Sequence, residues 1–227
     1  MAFVGSDLLA KVRDHIDEPS ANYWSNAELY RKIDSAHRAL WAKIISLRKD
    51  YFKSSFTFTT TAGTYSYAAG SGGVPTDIWR ILSMRTTTSG RQDLMWDAGN
   101  PTSRGFIDGL NSEVPVYNPF SMKYALRSQN ELWVSPLPQE SVSAQVDYIP
   151  RPTAISAAGS TFLVPDEFMN WVEYMATADA LNKGPVGDPA SWLAKAGAAW
   201  REIAEALDTP RVDQGADVVE GMFEDVG

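Results

Sequence analysis

The sequence predicts an α+β fold in which helices from both ends of the chain form a bundle, with a mainly antiparallel β domain inserted between them and an extended C-terminal tail. Apolar residues recur at helical spacing near both ends, whereas the middle is rich in β-branched and aromatic residues broken by Gly and Pro. The last residues are acidic and show no period. We therefore expect a helical bundle from residues 1–51 and 163–207, a β-rich insertion over 52–162 and an acidic C-terminal arm over 208–227.

The composition excludes several classes of protein. The chain has 227 residues, of which 44% are hydrophobic, so it is long enough to bury a real core. It contains no Cys, which excludes disulfides, thiolate catalysis and Cys-ligated metal sites, and its two His are too few for a three-histidine metal site. Asp7 and Lys11 come too early for a signal peptide, and no apolar run approaches the roughly 20 residues of a membrane span. We therefore expect a soluble protein with no membrane partner.

Two helices are predicted before residue 51. Ser6 can cap a short helix that reaches about Ile16, and Ser25 with Glu28 forms a capping box that opens a longer helix to about Asp50. The basic residues of the longer helix fall mainly away from its apolar stripe, so they favour a solvated face of a bundle helix over a phosphate-binding stripe; they are Arg31, Lys32, Arg38, Lys43 and Arg48.

About five short strands are predicted in the middle of the chain. Phe56 and Phe58 lie on one face of the first strand. The glycine-rich residues 70–73 lack the Lys-Ser/Thr of a phosphate-binding loop, so we expect a plain loop. Residues 97–121 are predicted to be mostly loop, with a short helical turn near Phe106. Residues 64–67 continue the β-prone pattern of the first strand. The remaining strands are expected over 78–85, 123–127, 131–134 and 142–149, with a hairpin turn at 128–130.

Two further helices are predicted after residue 163. The first begins at Val164-Pro165-Asp166 and ends near residues 182–185, and the second has Asp188 as N-cap and Pro189 at its first position. Their apolar stripes contain Phe168, Trp171, Val172, Met175, Ala178 and Leu181, and then Trp192, Ala196, Trp200, Ile203 and Leu207. An amphipathic helix cannot bury its stripe alone, so the four helices are expected to pack together.

We identify no catalytic, cofactor-binding or metal-binding residues. His15 and His37 are expected at the surface or at a helix end rather than in a catalytic site, because no nucleophile motif accompanies them. Asp166 and Glu167 are adjacent on a helix, so their carboxylates diverge, and the positive end of the helix explains them. The eight Trp are scattered, which favours core or subunit contacts over a sugar-stacking surface. The chain is predicted to need no cofactor and not to be an enzyme.

The formal net charge of −8 is unevenly distributed. The last 27 residues hold two basic and eight acidic residues, whereas residues 1–50 hold eight basic and seven acidic residues. The acidic run lacks the spacing of an EF-hand, which favours a solvated arm over a cation site. The chain also lacks a basic stripe for tight DNA binding. We expect the arm to be disordered alone and to become ordered on a neighbouring ring of basic character.

Several stretches, in this order, resemble those of bacteriophage head-to-tail adaptor proteins, also called head-completion or head–tail connector proteins, which include the tail tubular A proteins. Residues 23–29 (YWSNAEL) resemble the start of their long helix, and residues 73–81 (GVPTDIWRI) resemble the start of one of their strands. Residues 132–138 (LWVSPLP), 146–152 (VDYIPRP) and 162–168 (FLVPDEF) resemble a run that leads into a helix. Together they span most of residues 23–182.

This resemblance implies a structural virion protein. Such adaptors form a homo-oligomeric ring, usually a dodecamer, that docks beneath the portal protein at the head–tail junction. The ring extends the DNA channel, through which DNA passes without tight binding, and it offers an attachment surface to the downstream tail or nozzle protein. The particle is assembled in the host cytoplasm. In this family helices build the ring body, and a C-terminal arm often reaches the portal.

Two other functions are retained as alternatives. The first is a virion-associated wall-degrading or carbohydrate-active enzyme, suggested by the Trp content and the scattered carboxylates. The second is a DNA-binding accessory factor, which the net charge of −8 disfavours. Zymography would detect the first activity, and a salt-dependent gel shift would detect the second.

Overall fold

Helices at the two ends of the chain and strands between them make up an α+β fold, as the sequence predicts. The computed structural model describes residues 3–18, 20–21, 23–87, 97–99, 102, 106–107, 110, 122–127, 131–182 and 187–208. The predicted acidic arm therefore lies outside the described residues apart from Asp208, and so do Trp96 and the hairpin turn at 128–130. None of the helices in the described ranges combines the length and the apolar character needed to cross a membrane.

Helix α1 (Gly5–His15) starts one residue before the predicted cap, and Ser6 lies inside it. The N-cap is Val4, whose amide donates to the Asp7 carboxylate at 3.2 Å. The prediction from Ser6 was wrong because the start of the helix is set by a distant segment. Val4 forms an antiparallel bridge with Thr161, and the Gly5 amide donates to the carbonyl of Ser160 at 2.9 Å.

Helix α2 (Asn26–Leu47) begins with the predicted capping box. The Glu28 amide donates to Ser25 Oγ at 3.3 Å, and the Ser25 amide donates to Glu28 Oε2 at 3.2 Å. The helix ends three residues before the predicted Asp50. Arg48 has an extended backbone conformation, and its carbonyl accepts the amide of Tyr51 at 3.2 Å in a turn that follows the helix.

Replacing Ser25 with Ala should lower the free energy of unfolding by about 1 kcal/mol, because the amide of Glu28 would lose its acceptor at the start of α2. Urea denaturation of the full chain measures this loss. Ser35→Ala is the matched control, since Ser35 is exposed in the interior of the same helix, where Ala favours the helical state. Equal destabilisation by both substitutions would contradict a specific role for the cap.

Seven strands are present in the described ranges, in two sheets with orders β1-β7-β3 and β2-β6-β5-β4. Pairing is antiparallel except between β4 and β5. The predicted hairpin is confirmed by the pairing of β5 with β6, whereas β4 falls in a stretch predicted as loop. The strands are β1 (Ser54–Thr59), β2 (Ser66–Ala68), β3 (Ile78–Thr86), β4 (Asp97–Ala98), β5 (Lys123–Arg127), β6 (Glu131–Ser135) and β7 (Ser143–Pro150).

The last two helices follow a short 3-10 turn (Asp166–Phe168). Helix α3 (Met169–Leu181) continues directly from this turn, and helix α4 (Pro189–Asp208) starts at the predicted proline. The Asp188 carboxylate accepts the amide of Ala190 at 2.9 Å, in agreement with its predicted role at the start of α4.

The described residues bury two hydrophobic clusters. All four helices contribute to the first, and α3 lies at its centre because it contacts α1, α2 and α4. The second lies between the sheets, where Phe58 is fully buried and Phe56, on the same face of β1, is half-buried, as predicted. Packing of the terminal helices against each other is therefore confirmed.

Candidate functional site

His15 is the last residue of α1, at a helix end as predicted, but it contacts two other helices. Its Nε2 lies 2.6 Å from Oε1 of Glu173 on α3, and its ring centroid lies 4.4 Å from that of Trp192 on α4. Oε2 of Glu173 accepts a hydrogen bond from the ammonium of Lys11 at 3.0 Å. The Glu173 side chain is only 8% exposed, so this cluster joins three helices around one buried carboxylate.

Replacing Glu173 with Gln should lower the free energy of unfolding by about 1–2 kcal/mol, since hydrogen bonds to charged groups weaken when the charge is removed. The loss stays modest because Lys11 and His15 are partly exposed and can be solvated again. Thermal or urea unfolding measures it. Asp179→Asn, which removes the charge from a partly exposed ion pair with Lys32, is the control and should change stability by less than about 1 kcal/mol.

His37 is fully buried in the middle of α2, so the expected surface or helix-end position was wrong for this residue. It lies one turn from Ile33 and from Trp41, both of which face the core. Its Nε2 accepts the amide of Leu163 at 3.3 Å, and its ring packs edge-on against Phe162.

The surroundings of His37 keep its ring neutral at pH 7. Burial lowers its pKa from 6.5 to about 4; nearby Asp34 opposes this effect and Arg38 adds to it. A neutral ring held by a backbone amide and an aromatic neighbour indicates a structural role for His37.

Asp166 and Glu167 lie in two different environments. The carboxylate of Asp166 accepts the amide of Phe3 at 3.1 Å, which ties the 3-10 turn to the start of the chain. Glu167 lines a cleft between α3 and α4. The structure therefore does not bring the two carboxylates to one site.

The glycine-rich residues 70–73 form a tight turn. The amide of Gly70 donates to the carbonyl of Val74 at 2.7 Å, and the amide of Ser71 donates to that of Ala68 at 3.0 Å. Gly72 and Gly73 have φ values of 61° and 84°, a region that favours glycine. Two amides of this loop are thus used within the turn itself, which agrees with a plain loop.

Most of the described Trp side chains pack within the protein. Trp24, Trp41 and Trp171 are buried, and Trp200 lies beneath the ammonium of Lys43, 4.5 Å from its ring centroid. Trp79 is 38% exposed and packs edge-on against Trp41. This supports the core contacts expected from their scattered spacing.

The basic residues of α2 fall into two groups, one that contacts neighbouring helices and one that is exposed to solvent. Lys32 pairs with Asp179 of α3 at 2.9 Å, and Lys43 lies over the rings of Trp171 and Trp200. Arg31 and Arg38 are exposed, and Arg38 pairs with Asp34 of its own helix at 2.8 Å. The helix is therefore solvated on one side only, as predicted.

The sequence did not predict the cleft between α3 and α4. It has a volume of about 300 Å³, and its polar lining comes from Glu167, Asn170, Tyr174, Lys195 and Glu202. The sequence contains no local signal for this cleft, because Glu167 and Glu202 are 35 positions apart. They come to the same cleft only through the antiparallel packing of α3 and α4.

No group of three or more His, Asp or Glu side chains in the described ranges is arranged to hold a metal ion.

Residues 5–219 match a family model described as SU10 adaptor protein. The match extends from the first residue of α1 to beyond the last residue of α4, so it includes all the helices and both sheets. No curated protein matches the chain.

Proposed function

Because this chain belongs to the SU10 adaptor protein family, a family of structural phage adaptors, we propose that it forms a ring at the head–tail junction of a virion. The observation that carries this proposal is the extent of the match, which spans residues 5–219. A match over both the helical and the β-rich parts supports the same role for the whole chain rather than for one shared segment.

The proposed ring is a homo-oligomer, a dodecamer by resemblance, that docks beneath the portal. It extends the DNA channel and presents a surface to the downstream tail or nozzle protein. Residues 1–51 and 163–207 would form the ring body, 52–162 an inserted β-rich domain and 208–227 an arm that reaches the portal. The shared cluster of the four helices supports this division.

The protein is proposed to catalyse nothing and to let DNA pass without holding it. The neutral, buried His37 and the separate surroundings of Asp166 and Glu167 support the first part. The net charge of −8 supports the second, because tight DNA binding depends on many Lys and Arg contacts to phosphate.

Electron microscopy of the purified chain and of virions tests this proposal. The expected result is a ring of this protein between portal and tail. A protein that is strictly monomeric and absent from the particles would contradict it. Zymography on the same preparation provides the second test, since a cleared band that disappears on substitution of Glu202 would favour a wall-degrading enzyme.

A further inference from the structure

Helix α2 carries positive charge on the side that is turned away from α4. Lys43 marks the side that faces α4, because its ammonium lies 4.5 Å from the ring centroid of Trp200. Arg38 is five residues earlier, about 140° around the helix, and Arg31 is a further two turns earlier on nearly the same face. Both are exposed. Among the described residues, Arg31 donates only to the carbonyl of Ala27 in its own helix.

Helix α4 carries negative charge on the side that is turned away from α2. Trp200 faces α2, and Glu202 is two residues later, about 200° around the helix. Glu202 is exposed and lines the cleft between α3 and α4 together with Glu167. Within the described part of the chain, neither carboxylate has an ion-pair or hydrogen-bond partner. Arg31 and Glu202 therefore lie on different outer sides of the helical layer.

The cleft has the chemistry to receive a guanidinium group. Its two carboxylates can accept charge-assisted hydrogen bonds, and Tyr174 offers an aromatic ring against which a planar guanidinium can stack. Lys195, which also lines the cleft, opposes this in part. Its ammonium lies 3.7 Å from the ring centroid of Trp192, so it is already held by another side chain.

We propose that Arg31 of one copy binds in the α3–α4 cleft of the next copy, between Glu167 and Glu202. This inference rests on the proposed ring and names the two faces that meet in it. Oppositely charged faces on different sides of one subunit favour a head-to-tail contact, which generates a ring when the rotation closes. A contact between two α2 faces would instead place Arg31 and Arg38 against the same residues of the other copy.

Disulfide trapping tests the contact, since the chain has no native Cys. Ala27, one turn before Arg31, and Ala198, in the cleft, are both exposed. We expect an oxidised mixture of the Ala27→Cys and Ala198→Cys proteins to give a crosslinked dimer and the doubly substituted chain to give a ladder. The control pairs Ala27→Cys with Thr57→Cys on the exposed face of β1 and should stay monomeric.

Charge reversal tests the named side chains. Arg31→Glu or Glu202→Arg alone should lower the crosslinking yield about tenfold, and a chain with both reversals should recover it, because opposite charges again face each other. Failure of the Ala27 and Ala198 variants to crosslink, or preferential pairing of Ala27→Cys with itself, would overturn the contact. Rings seen by microscopy without this crosslink would leave the proposed function intact, whereas virions lacking the protein would contradict that function itself.

Discussion

Replacing Arg13 with Ala is expected to lower the free energy of unfolding by about 3 kcal/mol, because buried hydrogen bonds to a charged group are among the costliest to lose. Arg13 is 6% exposed on α1, and its guanidinium donates to carbonyls in the segment that leads into α2. The Trp24 carbonyl accepts at 2.8 Å and the Ser20 carbonyl at 3.1 Å, while Asn26 Oδ1 accepts at 2.7 Å. Without the guanidinium these acceptors would lose their donor.

Urea denaturation of the full chain measures the effect of Arg13→Ala. Arg13→Lys should lose most of the same stability, because an ammonium cannot reproduce the planar set of donors. Arg31→Ala is the matched control: Arg31 is exposed, so its removal should change stability by less than about 0.5 kcal/mol. A loss below about 1 kcal/mol for Arg13→Ala would show that the connection between α1 and α2 holds without it.

Lowering the pH from 7.5 to 4.5 should destabilise the protein by about 2–3 kcal/mol through His37 alone. Its pKa is about 4 in the folded chain and 6.5 when unfolded, so the unfolded state binds the proton more readily. Stability therefore falls as the pH drops below 6.5, and the loss is complete only below about 4. Protonation would place a charge where the ring now accepts the amide of Leu163.

A His37→Gln variant isolates this effect, since Gln stays neutral and offers an acceptor to the amide of Leu163. Its unfolding free energy should fall less between pH 7.5 and 4.5 than that of the parent. Identical pH profiles for His37→Gln and the parent would contradict a role of His37 in the loss of stability at low pH.

Asp147 does not contribute to this loss. Burial alone would raise the pKa of Asp147, but the ammonium of Lys53 and the hydroxyl of Ser83 lower it below its usual value. The Asp147 carboxylate therefore stays ionised between pH 7.5 and 4.5.

Features that depend on neighbouring residues were predictable from the sequence. The capping box of Ser25 and Glu28 is complete within four positions, and the hairpin of β5 and β6 needs only two adjacent strands and a turn. The first position of α4 followed from Asp188 and Pro189 for the same reason.

Features that depend on distant residues were not predicted. In the order β1-β7-β3, Phe56 of β1 pairs with Val146 of β7, 90 positions later, and the start of α1 depends on Thr161. The burial of Arg13 had a local signal, since it lies one turn after Leu9 on the buried side of α1. The burial of His37 had the same kind of signal, one turn after Ile33. The α3–α4 cleft had none.

The bridge between Val4 and Thr161 implies an order of events during synthesis of the chain. Val4 pairs with a segment that is translated more than 150 residues later. Helices α1 and α2 share their buried cluster with α3 and α4, so this cluster can be completed only after the strands have been translated. Contacts this distant in sequence form late. The sheets can therefore fold first, and the helices then pack against one another to complete their own cluster.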